Sequence, residues 1–381
     1  MFNKKIILSG TLIVFCVLGL SPIYGGYYED AFNAFKQKNY QEAMIILEEG
    51  ISAAPNDEQL SFLLGQTYAR MNKIDKAIET LKRTVLLDPE IDSAHYLLGQ
   101  CYTLRRVDGK YKPAWFEASQ AYAKAAELNP DKFAYQYNYG HALLQLKKYS
   151  DAIAPLQKAL ELEEGAQDYK TAMELGLAYQ LTGQKENAIK YLEKAHELAP
   201  NEEDPINYLG KLYSDMQRYD KVTELGRKLV AVKPDSSTGH IFQGVGLYQD
   251  KKYSEAVKAF ERALQINPKD DFAYFYLGLS QEALLGSSPS SYQSLIDSYG
   301  KAVNLAGDSA PSEWHYRLGH AYELESHLDW DRAVRHPEAR SRCLRNLQKA
   351  RSAYQNAGDH ETAKERLSIV NERIRQLEVI Q

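Results

Sequence analysis

The chain has 381 residues, of which 44% are hydrophobic and 25% charged, an ordinary balance for a folded globular protein. Its 46 lysines and arginines stand against 51 acidic residues, a formal net charge of −5. No global basic field exists to attract nucleic acid, and that class of partner is excluded.

The first 25 residues differ from the rest. Lys4 and Lys5 precede an apolar run at 6–20, followed by Ser21-Pro22. The run is short for a membrane span, and the layout is that of a secretory signal peptide. The expectation is removal at about Gly25, a periplasmic or secreted product, and no transmembrane span afterwards. The alternative is an uncleaved anchor. Cys16 is not read as a lipid-attachment site, because Phe15 stands where a small residue is needed. Without the leader, Cys101 and Cys343 remain, too few and too far apart for a disulfide framework.

From there one unit recurs. It is clearest at 237–270, STGHIFQGVGLYQDKKYSEAVKAFERALQINPKD. Helical apolar spacing lies on both sides of a Lys251-Lys252 turn, and Pro268 stops the second helix. Gly244, Ala256, Phe260, Ala263 and Pro268 mark positions 8, 20, 24, 27 and 32 of 34. Position 8 recurs as Gly65, Gly99, Gly140, Gly176, Gly210, Gly244, Gly278 and Gly319, with steps of 34, 41, 36, 34, 34, 34 and 41 residues. A fixed period of this size predicts a solenoid.

In chain order, repeat 1 begins at about Tyr24 and repeat 2 at Glu58. Repeat 3 begins at Asp92 and reaches Ala118 and Tyr122 seven residues late, which places extra residues between its helices at about 105–113. Repeat 4 starts near Phe133, and repeat 5 contains Gly176 and Leu192. Repeat 6, from Glu203, is irregular: Val222 and Leu229 fill small slots, and Gly226 stands where a large residue is usual. It is expected to be the weakest junction. Repeat 8, from Asp271, carries GSSPSS at 286–291 before Tyr299. Repeat 9 starts near Ser312 and needs a long insertion between Glu325 and Ala350 before Ala350, Tyr354 and Ala357. Residues 359–381 then form a capping helix; the other phase makes Gly358-Asp359 the turn of a tenth repeat. The expected organisation is a leader at 1–25, about nine repeats over 26–358, and the cap.

In Leu64-Gly65-x2-Tyr68…Ala77-x3-Leu81…Pro89, with echoes in Leu209-Gly210-x2-Tyr213 and Leu98-Gly99-x2-Tyr102, the chain resembles the tetratricopeptide repeat family. With its leader-like start it is similar to an exported, bacterial-type member. The resemblance implies an all-α fold, a right-handed superhelical solenoid of antiparallel helix hairpins. It also implies that first helices line a concave groove at positions 2, 5, 9 and 12. The implied partner-binding residues are Tyr28, Phe62, Tyr96, Tyr137, Asn207, Ile241, Tyr248, Phe275 and Tyr316, with Met173 also at position 5. Such an aromatic row can grip an extended peptide or stack on sugar rings.

No phosphate loop, G-x-S-x-G, H-E-x-x-H or C-x-x-C occurs in the sequence, so no catalytic, cofactor or metal site is read from it. His315, His320, His327 and His336 match no metal spacing and read as surface histidines. Arg332, Arg335, Arg340, Arg342, Arg345, Lys349 and Arg351 form a basic run, read as a solvated helix face or a surface for an acidic partner. The functional expectation is a non-enzymatic scaffold or adaptor for protein or peptide partners. The alternative is a module handling polysaccharide in envelope export. Insertions in repeats 3, 8 and 9, with Tyr111, Trp115 and Trp330, are expected to thicken one edge into a second contact surface.

Overall fold

A computed structural model describes residues 25–107, 109–285 and 292–379. Residues 1–24 of the expected leader at 1–25, and the GSSPSS segment of repeat 8, lie outside the described residues. The chain divides into two compact bodies, 1–184 and 185–381.

In the first body, repeat 1 is α1 (Gly25–Lys36) and α2 (Tyr40–Ala53), and repeat 2 is α3 (Glu58–Arg70) and α4 (Ile74–Leu87). Repeat 3 is α5 (Asp92–Leu104) and α6 (Trp115–Leu128), with β1 (Arg106–Val107) and β2 (Lys110–Tyr111) between them. Then come α7 (Phe133–Gln145), α8 (Tyr149–Glu161) and α9 (Tyr169–Leu181). Each helix packs on the next.

The second body opens with α10 (Lys185–Leu198), α11 (Glu203–Asp215), α12 (Tyr219–Val232), α13 (Ser237–Gln249) and α14 (Tyr253–Ile266). It continues with α15 (Asp271–Leu284), α16 (Gln293–Ala306), α17 (Ser312–Leu328), α18 (Trp330–Ala333), α19 (Pro337–Asn356) and α20 (Glu361–Glu378). Neighbours again pack in series, and α20 lies on both α19 and α17. The fold is an all-α solenoid of tetratricopeptide type.

Local rules explain the element boundaries. Asp57, Asp168, Ser236 and Asp270 accept backbone N–H bonds at the starts of α3, α9, α13 and α15, satisfying amides that a helix start leaves free. Pro55, Pro89, Pro130, Pro200, Pro234 and Pro268 each sit two residues past the end of a second helix. Proline has no N–H with which to continue it. Between helices, Lys38, Asn72, Lys147, Gln217 and Lys251 take positive φ of 57–63°. The following amide donates five residues back, as in Lys73 N to Tyr68 O at 2.9 Å and Lys252 N to Leu247 O at 2.8 Å, the Schellman closure of a helix end. Repeat 5 uses Gly183, at φ +80°, for the same turn.

The packing unit is a position-8 glycine under a position-24 side chain. A Cβ on Gly65 would lie 2.7 Å from Leu81, on Gly99 2.6 Å from Tyr122, and on Gly244 2.7 Å from Phe260. Gly140 meets Leu156, Gly278 meets Tyr299 and Gly319 meets Tyr354 in the same way. These large residues are at most 2% exposed. Where position 24 is tyrosine, position 12 of the same repeat supplies its hydroxyl with a polar partner. Tyr122 is hydrogen-bonded to Thr103, Tyr299 donates to Glu282 at 2.6 Å, and Tyr354 donates to Glu323 at 2.8 Å. A buried phenol needs such a partner.

The irregular slots of repeat 6 and the insertions each have their own packing. Repeat 6 has a glycine at position 24, but the gap is filled from the next repeat. A Cβ on Gly210 would meet the Phe242 ring of α13, at 2.0 Å. Gly226 in turn lets the α13 backbone approach, with Gln243 N at 2.7 Å and Gly239 O at 2.9 Å from its Cβ position. The mismatched slots are therefore packed, with Val222 and Leu229 at most 1% exposed. The insertions also differ in kind from one another. Repeat 3 forms an exposed hairpin in the register Arg106↔Tyr111 and Val107↔Lys110. In repeat 9 the added length lies largely in helix: α17 has 17 residues and α19 has 20, against 13 and 14 in α13 and α14. Trp330 lies in α18 with the Arg373 guanidinium over its ring. Repeat 9 therefore does not add a simple loop between its helices as repeat 3 does, and the added segment of repeat 8 lies outside the described residues.

Candidate inner-face site

First helices of the first body present Tyr28, Phe62, Tyr96 and Tyr137, all half-buried. Tyr28 stacks on Phe32, one helical turn on, at 5.8 Å. Tyr96 packs its ring on Tyr122 and Tyr135. Its hydroxyl accepts from Gln100 Nε2 at 3.0 Å and Asn138 Nδ2 at 3.3 Å. Tyr137 stacks between Phe133 and His141 along α7, and Trp115 meets the His141 ring edge-on at 5.7 Å. Trp115 thus belongs to this cluster and not to the hairpin edge, while Tyr111 is 58% exposed.

Glu174 on α9 closes the cluster. Its Oε1 accepts from Tyr137 Oη at 3.2 Å and lies 2.8 Å from His141 Nδ1. Burial first, then the charges of Glu174 and Asp168, push the Tyr137 phenol well above its ordinary pKa. The other oxygen, Oε2, is buried without a hydrogen-bond partner among the described residues.

The second body handles the same positions differently. Asn207 and Tyr248 are half-buried, Tyr248 lying 5.9 Å from Tyr276. Ile241 and Phe275 are each only 7% exposed, and Phe275 stacks on Trp314 at 4.9 Å. Both are packing residues, a correction to their expected place on the groove surface. Tyr316, half-buried itself, stacks on His360 beside the N-terminus of α20 at 4.4 Å, and His360 Nε2 lies 2.9 Å from Glu313.

Polar groups here satisfy one another. Arg317 bonds Glu313 at 2.6 Å and Glu282 at 3.3 Å. Glu323 is fully buried and holds Arg366 and Arg373 of α20, each at 3.0 Å. A cavity of about 280 Å³ beside it is lined by His327, Trp330, Asp331 and Arg373. Of the basic run, Arg342 pairs with Asp329 through two 2.8 Å bonds and Arg340 bonds the Ala333 carbonyl. Arg332, Arg335 and Arg345 are exposed.

His315, His320 and His327 lie on α17, and burial lowers the pKa of each. Among the described residues no group of three or more ligand side chains converges for a metal, and no helix is long and apolar enough to cross a membrane. Burial raises the Cys101 thiol to about 12 and Cys343 to about 11, so neither is an activated nucleophile.

His141, Gln100, Asn138 and Glu174 were not singled out from sequence. Two signals could have found them. His141 and Gln100 follow Tyr137 and Tyr96 by four residues, one helical turn. Asn138 and Glu174 both occupy position 6, the register that faces the neighbouring first helix.

Comparison with known proteins finds repeat families of this type. Residues 36–114 match the family model of the anaphase-promoting complex, cyclosome, subunit 3. Residues 116–169 and 169–202 match tetratricopeptide repeat models, and 246–284 match a TPR repeat model. Tetratricopeptide repeat families are thus found along the chain.

Among curated relatives, the human mitochondrial import receptor subunit TOM70 is 24% identical over 213 residues, covering 54% of this chain and 33% of the relative. The chain spans about a third of that relative's length. The TPR repeat-containing protein YpiA of Bacillus subtilis is 25% identical, with 66% of each chain covered. Similar solved structures include MamA, at 24% identity and TM-score 0.40 over 47% of this chain and 92% of that one. Another is YrrB, described as a TPR protein with an unusual peptide-binding site, at 17% identity and TM-score 0.38 over 60% and 95%.

Proposed function

We propose that the chain is a non-enzymatic scaffold that binds protein partners, and that the inner face of the first body is its principal docking surface. One observation carries the choice of face. Tyr28, Phe62, Tyr96 and Tyr137 stay half-buried, whereas Ile241 and Phe275 are packed away and Tyr316, half-buried itself, stacks on His360 of the last helix pair. Half-buried aromatic rings on a rigid helical support are the groups that anchor a partner segment. The relatives support the reading at the level of class, since repeat proteins of this kind include an import receptor subunit.

The test is a titration of partners captured by cross-linking in the native cell and then purified. The paired change Tyr28→Ala/Phe62→Ala is expected to weaken binding at least tenfold, about 1.4 kcal/mol, with helicity retained. Unchanged affinity would count against this face.

A second reading, a module for exported glycan, draws on the Tyr96 ring flanked by the Gln100 and Asn138 amides, a pairing of stacking surface and hydrogen-bonding groups. Glycan-array binding without protein capture would favour it. Export itself is part of the proposal and rests on the layout of residues 1–25. Intact mass of the native protein should show a start near Gly26, and a full-length cytoplasmic product would end that part of the reading.

A further inference from the structure

The first body holds a largely buried carboxylate, Glu174, with no lysine or arginine in ion-pair contact among the described residues; Lys170, one turn earlier on α9, stands over the Tyr169 ring instead. The Glu174 side chain is only 13% exposed, and its one ion-pair partner there is His141. Oε1 takes both available donors, Tyr137 Oη and His141 Nδ1, which leaves Oε2 buried and unpaired. A buried carboxylate oxygen without a donor is costly. A water molecule can supply the missing hydrogen bond but not the missing charge.

The surroundings favour a positive group over any other. The Tyr137 and His141 rings stack at 6.0 Å, Trp115 stands edge-on to His141, and Phe133 stacks on Tyr137. Aromatic π-faces attract cations, the more so when water is excluded. The terminal torsion of a glutamate is soft, so rotation of the carboxylate can present either oxygen to an incoming donor. Lys36 stands over Phe32 and the Asp57 charge reaches Tyr28 at the far end of this face, whereas the charges that act on Tyr137 are those of Glu174 and Asp168, both negative, so carboxylates fix the sign of the site.

We propose that Glu174, walled by Tyr137, His141 and Trp115, receives a cationic group of the partner segment. The group is an ammonium or guanidinium, carried by a lysine or arginine side chain or by a chain N-terminus. The proposal deepens the docking reading above and rests on it.

The test uses the full chain and four small probes: Nα-acetyl-lysine methylamide, Nα-acetyl-arginine methylamide, glycinamide, and neutral Nα-acetyl-norleucine methylamide. The readout is the His141 imidazole resonance, assigned with His141→Gln. At least one cation is expected to move it saturably while norleucine does not, and the responding probe tells side chain from N-terminus. Glu174→Gln should weaken that response at least tenfold, and Glu174→Asp should retain it.

The site is overturned if no cation gives a saturable shift up to its solubility limit. It is equally overturned if norleucine, or a folded Glu174→Gln, responds like the wild type with lysine. Should Glu174→Gln fail to fold, the contrast between lysine and norleucine on the wild type decides alone. Silent probes together with partner loss in Tyr28→Ala/Phe62→Ala would sink this site and leave the docking reading standing. The reverse pattern would sink only the docking reading.

Discussion

Replacing glycine by alanine should have opposite effects at two helical positions of the second body. Gly300, within α16, has as its nearest neighbour to an added Cβ only Leu318 Cδ1, at 3.9 Å. Alanine there gains the helix preference of roughly 0.5–1 kcal/mol and disturbs nothing. Gly226, within α12, would receive the same gain. Its Cβ, however, would stand 2.7 Å from Gln243 N, 2.9 Å from Gly239 O and 2.9 Å from Phe242 Cβ. Two of those atoms are backbone, so α12 and α13 must separate, which also loosens the Phe242 ring over Gly210. Overpacking of that kind costs about 1–3 kcal/mol, and the net expectation for Gly226→Ala is a loss of about 1–2 kcal/mol. Repeat arrays can unfold in parts, so urea denaturation should be read together with hydrogen exchange. Faster exchange confined to α11–α13 is expected. If Gly226→Ala proves as stable as Gly300→Ala, the account of repeat 6 is wrong.

Other consequences follow from particular contacts. Glu323→Ala would leave Arg366 and Arg373 without their buried partner, and a loss of about 3–5 kcal/mol is expected, seen as detachment of α20 in hydrogen exchange. His320 and His327 have pKa values lowered by burial in the folded chain, so the unfolded chain takes up their protons first. Their contribution is complete above about pH 6.5, the unfolded value, and is lost as pH falls from there towards the folded values. Thermal scans of His320→Gln/His327→Gln should show a flatter fall than the wild type between neutral pH and about pH 5. Replacing residues 105–113 by the four-residue turn at 250–253 should leave helicity and inner-face binding unchanged, because the hairpin strands are exposed; loss of inner-face binding would contradict that.

Much of the fold could be read from the chain because each slot answers to one physical demand. Glycine at position 8 and proline at position 32 have few alternatives where a side chain or an N–H must be missing. That logic failed at Gly226, where the missing volume comes from Phe242 in another repeat. A slot-by-slot reading cannot see such a loan.

The inner face was legible as a row but not as a surface. Position 5 named Tyr96 and Tyr137, and both are half-buried. It could not show that Phe275 would turn onto Trp314 or that His360 would lie on Tyr316. Those contacts depend on how the last helices bend back, and Arg366 and Arg373 gave no periodic sign that they would meet Glu323. Glu174 was missed for a similar reason, since its partners come from another helix, 33 and 37 residues earlier.

The claim that the first body's inner face docks a partner is tested most directly by site-specific photo-cross-linking in the native cell. A benzophenone side chain would be placed in turn at Phe62, on that face, and at Leu86, which is 83% exposed on α4. A discrete protein adduct is expected from Phe62, lost when Tyr28 is also changed to alanine, and none from Leu86. An adduct from Leu86 alone, or one from Phe62 indifferent to Tyr28, would contradict it.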